Sequence, residues 1–240
     1  MPPVITLFDG YSGRVHIQAV LFDLDNTLFD HYTSARAGLN GFLRHLNQEP
    51  SRELERSWFE IEQLNYVRFL AKEIPFQEQR RERLRQFLPL VGTVPPGTDT
   101  QLDEMFAAYL RNYEQAWVAF RDSAPTLQAL TALNLRAAVV TNGNQDQQAS
   151  KIRRIGLEPF LDEVFSSEMT GHPKPDPEAF LVPCRRMGVS PAETLYVGDN
   201  YVVDVAGAQG AGLQARHLDR NGTGPSASLR SLADLVTMLS

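Results

Sequence analysis

Asp23 and Asp25 stand two residues apart in the segment Ala19-Val-Leu-Phe-Asp-Leu-Asp-Asn-Thr-Leu28. Side chains at i and i+2 of an extended chain point the same way, so an apolar strand here ends by presenting two carboxylates together. Like charges held that close are costly unless a cation or a phosphoryl group makes use of them. An arbitrary D-x-D is more often a solvated turn, but three later segments supply partners for this one. They are Thr141-Asn142-Gly143, Lys174 within His172-Pro-Lys-Pro-Asp-Pro177, and Gly198-Asp199 with Asp204 close behind. Carboxylate oxygens without histidine or cysteine ligands suit Mg²⁺ better than a softer metal. Lysine is a point charge for a phosphate, and a threonine hydroxyl with adjacent backbone N–H groups can hold phosphoryl oxygens. One carboxylate can accept a phosphoryl group as a nucleophile. Its neighbour can protonate the leaving oxygen and then take a proton from water.

The elements that must position these groups follow from the apolar pattern. The continuous apolar run over 19–24 suits a central parallel strand covered on both faces. From Tyr32 to about Phe120 the spacing turns helical. Ser51 is placed to cap a helix through Leu54, Trp58, Ile61 and Leu64, Ile74-Pro75 interrupts, and a second helix is expected over 76–90. Residues 92–100 read as a loop, and 101–120 as a further helix. Beyond it, helices are expected at 125–133, 145–155, 177–187, 202–211 and 229–239. Strands are expected at 137–141, 163–166, 195–197 and 214–217. Ser190-Pro-Ala-Glu193 has the form of a capping box opening a short turn. This alternation predicts an α/β, doubly wound (Rossmann-like) parallel sheet with an all-helical insertion after the first strand. Ligands of such sheets sit at the carboxyl ends of the strands, and every candidate group falls just past one. The expected divisions are an N-terminal extension over 1–17, with a hairpin around Asp9-Gly10, an α/β core over 18–34 and 121–240, and a helical segment over 35–120.

Composition narrows the function. The chain has 240 residues, 42% of them hydrophobic, enough for one large or two modest cores. A net charge of −6 speaks against a nucleic-acid polymer as partner. Cys184 is the only cysteine, which excludes an intrachain disulfide and fits a reducing, cytoplasmic setting. It reads as a small apolar helix residue, not a nucleophile. No apolar run approaches the ~20 residues of a membrane span. Asp9, Gly10, Ser12 and Gly13 break up any signal core at the start. In the helical segment, the many arginines read as a solvated face balanced by glutamates. Trp58, Phe59, Tyr66, Phe69 and Trp117 read as the interior of that segment.

The four motifs in this order resemble those of the haloacid dehalogenase superfamily, on its phosphatase side. D-x-D-x-T stands as Asp23-Leu-Asp25-Asn-Thr27, the strand-terminal hydroxyl as Thr141, the lysine as Lys174-Pro175, and the acidic group as Gly198-Asp199 with Asp204. The resemblance implies Asp23 as nucleophile and Asp25 as general acid and base. It implies Mg²⁺ held by the Asp23 side chain, the Asp25 carbonyl and Asp199, with Asp204 supporting the metal or orienting Lys174. Thr141, Asn142, Gly143 and Lys174 would hold the phosphoryl group, and the helical segment would be a cap closing over the site. The implied substrate is a small phosphorylated metabolite: a nucleotide, a sugar phosphate or a phosphoglycolate-like acid. A phosphomutase, a 2-haloacid dehalogenase and a non-catalytic phosphate-binding homologue are the alternatives. A dehalogenase of this type lacks the second aspartate, because a halide leaves without a proton. His172 departs from the commonest wording before the lysine and reads as a polar loop residue.

Overall fold

The computed structural model describes residues 6–9, 13–225 and 228–240. The chain divides into two compact units, one of Met1–Asp30 with Val118–Ser240, the other of His31–Trp117. Strands β1 (Thr6–Asp9) and β2 (Gly13–His16) pair antiparallel; the turn expected at Gly10 lies outside the described residues. β3 (Ala19–Phe22) follows and is wholly buried.

The helical unit comprises α1 (His31–His45), α2 (Arg52–Leu70), α3 (Phe76–Phe87) and α4 (Asp99–Gln115). Ser51 caps α2 as expected, its side chain accepting from the Leu54 N–H at 3.2 Å. A 3₁₀ turn over Leu88–Val91 ends at Gly92, whose φ of +69° is left-handed and suits glycine. Thr98 caps α4, so that helix starts at Asp99. It stops at Gln115, short of the expected 120, because the following residues turn extended: Asp30 N–H donates to Val118 O and Phe120 N–H to Leu28 O, each at 3.0 Å. Trp58 is buried at the centre of this unit, edge-on to Phe87 with centroids 4.9 Å apart and 4.7 Å from Tyr109. The Arg83 guanidinium lies 4.6 Å from the Trp58 ring centre and 2.9 Å from Glu62. Arg83 is therefore an interior residue, where the sequence pattern reads as a solvated face. Arg81 and Arg85 do pair with acids, Asp99 among them, at the surface.

In the α/β unit, α5 (Ser123–Ala132), β4 (Arg136–Thr141), α6 (Gln145–Arg154), β5 (Val164–Ser166), α7 (Ser167–Thr170), α8 (Pro177–Met187), β6 (Thr194–Gly198), α9 (Gly207–Gly210), β7 (Gln214–His217) and α10 (Leu232–Leu239) follow in order. The sheet runs β5-β4-β3-β6-β7, and all its pairs are parallel. Phe22 is level with Val139 on one side and Val197 on the other. Leu21, Val140, Phe165, Phe180, Tyr196 and Leu213 belong to the core on one face. Cys184 is buried there, its thiol facing Thr194 Oγ1 at 3.7 Å and pushed up by burial. Two local expectations change. The short turn expected after Ser190 forms, as a 3₁₀ turn over Pro191–Glu193, but without a side-chain cap from Ser190; the capping box is instead at Ser231 and Asp234, opening α10. The helix expected over 202–211 begins as a π-helical turn, Tyr201–Ala206, before α9. Among the described residues, no helix is long and apolar enough to cross a membrane.

Candidate active site

The carboxyl ends of β3, β4 and β6 and the loop beyond β5 carry the residues singled out by the sequence. Asp23 N–H donates to Val197 O at 2.9 Å, which fixes the end of β3 to β6. The chain then winds back on itself, with the N–H groups of Leu28 and Phe29 both donating to Leu24 O at 3.0 and 2.9 Å. Asn26 sits at φ +64°, a conformation asparagine tolerates better than most residues.

Lys174 is the hub. Its Nζ donates to Asp23 Oδ1 at 2.6 Å, Asp204 Oδ1 at 2.7 Å and Tyr196 Oη at 2.8 Å. An ammonium has three protons, so this buried one is fully satisfied. Tyr196 Oη passes its own proton to Val140 O at 3.1 Å. Asp204 Oδ2 accepts from Asn200 N–H at 3.0 Å. The π-helical turn helps, with Asn200 O accepting from both Asp204 and Val205 N–H. Gly198 is required for the close approach: a Cβ there would lie 2.4 Å from the Asp204 carboxyl carbon.

Asp23, Asp199 and Asp204 each bring a carboxylate oxygen within 4.8 Å of the others. Burial, then the charges of Asp204 and Asp199 working against Lys174, pushes the Asp23 carboxyl well up. Burial, then Asp204, raises Asp199 to about 6. Burial works to lower Lys174, but Asp204 and Asp23 outweigh it and hold the ammonium charged. Three carboxylates and one ammonium leave two negative charges uncompensated. An all-oxygen donor set with that imbalance fits a hard divalent cation.

Thr141 ends β4 beside this cluster. Its Oγ1 accepts from Gln148 Nε2 at 2.8 Å. The same nitrogen reaches Asp25 Oδ2 at 3.1 Å, and Lys151 Nζ donates to Asp25 Oδ1 at 2.6 Å. The Asn142 side chain does not open toward a ligand: it donates to Lys174 O at 3.0 Å and accepts from Lys174 N–H at 2.7 Å, clamping the Lys174 loop. Gly143 N–H is likewise engaged, by Ser167 Oγ at 3.0 Å. The place of Gly143 is conformational, with φ +147° and Gln148 packed 3.3 Å from where a Cβ would be. His172 pairs with Asp176 at 3.0 Å, a loop contact as its sequence suggests. Gln148, Lys151 and Tyr196 were not singled out by the sequence. The first two lie three residues apart on α6, a spacing that puts them on one helix face.

The helical unit carries a groove of its own, about 880 Å³, lined by Tyr32, Arg36, Arg52, Glu55, Phe59 and Gln63 among others. Phe59 stacks on Tyr32 with centroids 4.7 Å apart. It lines this groove, where the sequence reading puts it in the interior.

A family model of haloacid dehalogenase-like hydrolases matches residues 17–212. A glyceraldehyde 3-phosphate phosphatase of Methanopyrus kandleri is 31% identical, over 82% of each chain. An (S)-2-haloacid dehalogenase of Xanthobacter autotrophicus is 28% identical, over 85% of this chain and 76% of its own. Among solved structures, the magnesium-bound HAD hydrolase YfnB of Bacillus subtilis superposes with a TM-score of 0.80 at 24% identity, covering 93% of this chain and 99% of its own. The strand order, the four motif positions and these matches agree: the chain belongs to the haloacid dehalogenase-like hydrolases.

Proposed function

We infer that this hydrolase cleaves a small sugar phosphate by Mg²⁺-dependent phosphomonoester hydrolysis. The observation that carries the reading is the Asp23–Lys174–Asp204 cluster with Asp25 held separately, by Lys151 and by the Gln148 amide that also meets Thr141. Asp23 is the nucleophile: its Oδ1 is fixed by Lys174 at the end of β3, and its carboxylate takes the phosphoryl group as an aspartyl-phosphate. Lys174 supplies positive charge beside the transferring group and the Thr141 hydroxyl orients its equatorial oxygens, the neutralisation and positioning that such transfers mainly need. Asp204 orients Lys174 and shares its charge. Asp25 gives a proton to the departing sugar oxygen and then takes one from the water that releases phosphate. Asp23, Asp199 and the Asp25 carbonyl are the residues that would hold Mg²⁺, with Asp204 in support. When bound, the ion supplies charge neutralisation for the transferring group. Asn142 and Gly143 act by shaping the loop around Thr141 and Lys174.

The second aspartate separates this reading from dehalogenation. A sugar alkoxide is a poor leaving group without a proton, whereas a halide needs none. The match to the M. kandleri phosphatase supports a phosphorylated sugar of triose size as substrate. In the helical unit, taken as the cap, the groove residues are candidates for selecting among sugars. The test is a panel of sugar phosphates, nucleotides and phosphoglycolate assayed for phosphate release, with 2-chloropropionate assayed for halide. Turnover is expected on a sugar phosphate with Mg²⁺ and not after chelation. Halide release without phosphate release, or full activity after chelation, overturns the reading.

A further inference from the structure

We propose that Lys151 and Gln148 are positioning residues for Asp25, a pair on α6 that fixes the proton carrier relative to the hydroxyl that grips the phosphoryl group. The proposal rests on the functional reading above, in which Asp25 protonates the leaving oxygen. Lys151 is only 3% exposed although it stands in an otherwise polar helix. A lysine is rarely buried so completely without a carboxylate to meet it. Here Nζ reaches Asp25 Oδ1 at 2.6 Å, from 126 residues along the chain, and also lies 4.8 Å from the centre of the Phe29 ring. Gln148 completes the hold. Its amide nitrogen has two protons, and the two acceptors at 2.8 and 3.1 Å are Thr141 Oγ1 and Asp25 Oδ2. Both oxygens of Asp25 are thus fixed, one by Lys151 and one by Gln148, so the plane of the carboxyl group is set. The same amide sets the distance from Asp25 to Thr141. A brace serving only the fold would have no reason to join these two groups through one nitrogen.

The experiment compares two leaving groups in the full-length protein. Glyceraldehyde 3-phosphate releases an alkoxide that must be protonated, whereas p-nitrophenyl phosphate releases a stabilised phenolate that need not be. Lys151→Met and Gln148→Leu are expected to lower kcat/KM, which reports the steps through departure of the leaving group and not the shared hydrolysis of the aspartyl-phosphate, by roughly tenfold or more on the sugar ester and far less on the aryl ester. Lys151→Arg, which keeps the charge, is expected to recover part of the loss. Asp25→Asn is run alongside and must show the same dependence on leaving group. If Asp25→Asn lowers kcat/KM for both esters alike, the proton-donor role given to Asp25 fails. If Asp25→Asn discriminates while the α6 variants slow both esters alike, or slow neither, the positioning role is overturned. Should Lys151→Met not fold, Gln148→Leu decides on the same criterion.

Discussion

Gly198→Ala is a one-methyl change whose cost can be worked from the structure. The added Cβ would stand 2.4 Å from Asp204 Cγ and 2.5 Å from Oδ2. Carbon atoms rest at about 3.5–4.0 Å, so the carboxyl group must retreat by about 1 Å. It has no slack to do so, being held by Lys174 at 2.7 Å and Asn200 N–H at 3.0 Å. A 1 Å retreat, added to these lengths, carries the bonds to or past the ~3.5 Å limit of a hydrogen bond. Overpacking costs about 1–3 kcal/mol, and a hydrogen bond to a charged group is worth about 1.5–3 kcal/mol. The sum is not additive, and a loss of about 3–5 kcal/mol is expected. Moving Lys174 also moves its grip on Asp23, so turnover should fall about 10²-fold, as a 1 Å misplacement does elsewhere. Urea unfolding and steady-state phosphate release measure the two effects. Gly210→Ala is the control: nothing lies within 4 Å of its Cβ position, and it sits in a helix. There the change should be neutral or stabilising by up to about 1 kcal/mol. If Gly198→Ala matched that control in both assays, the claim that Asp204 is wedged against Gly198 to orient Lys174 would be wrong.

Asp25→Asn should slow sugar-phosphate turnover by about 10²–10⁴-fold with little change in stability; a smaller fall than tenfold in kcat removes Asp25 from the proton-transfer role. Asp199 gives a pH signature. Its carboxyl is raised on folding from 3.8 to about 6, so the folded state binds the proton more tightly. That stabilisation is fully present below the unfolded value and is lost as pH climbs through the folded one. Metal-free protein should therefore lose about 2 kcal/mol between pH 4 and pH 7 relative to Asp199→Asn. Added Mg²⁺ should restore it. Parallel stability curves for the two proteins across that window would contradict the placement of Asp199.

Asp23, Asp25, Thr141 and Asp199 were legible because each ends or directly follows an apolar run, and parallel strands bring such ends to one edge. Lys174 lies farther from its strand but stands among prolines that mark a fixed loop. Tyr196 was hidden inside an apolar strand, where a tyrosine reads as core; only the fold shows its hydroxyl meeting Lys174. Lys151 and Gln148 were hidden for the opposite reason. A helix of glutamines and basic residues reads as solvated all round, and only its meeting with Asp25, Phe29 and Thr141 reveals which face is inside. Arg83 was obscured in the same way, since a charge run carries no mark of the one member buried on Trp58. The π-helical turn at Tyr201–Ala206 has no sequence signal of its own, because small and β-branched residues fit an α-helix as well.

The central claim is that Asp23 itself takes the phosphoryl group. Mass spectrometry of protein quenched in acid during steady-state turnover tests it most directly. The expected result is a phosphoryl adduct on Asp23, labile to base, absent from Asp23→Asn and absent after chelation of divalent metal. Turnover by Asp23→Asn at the wild-type rate, or an adduct on another residue, would contradict it.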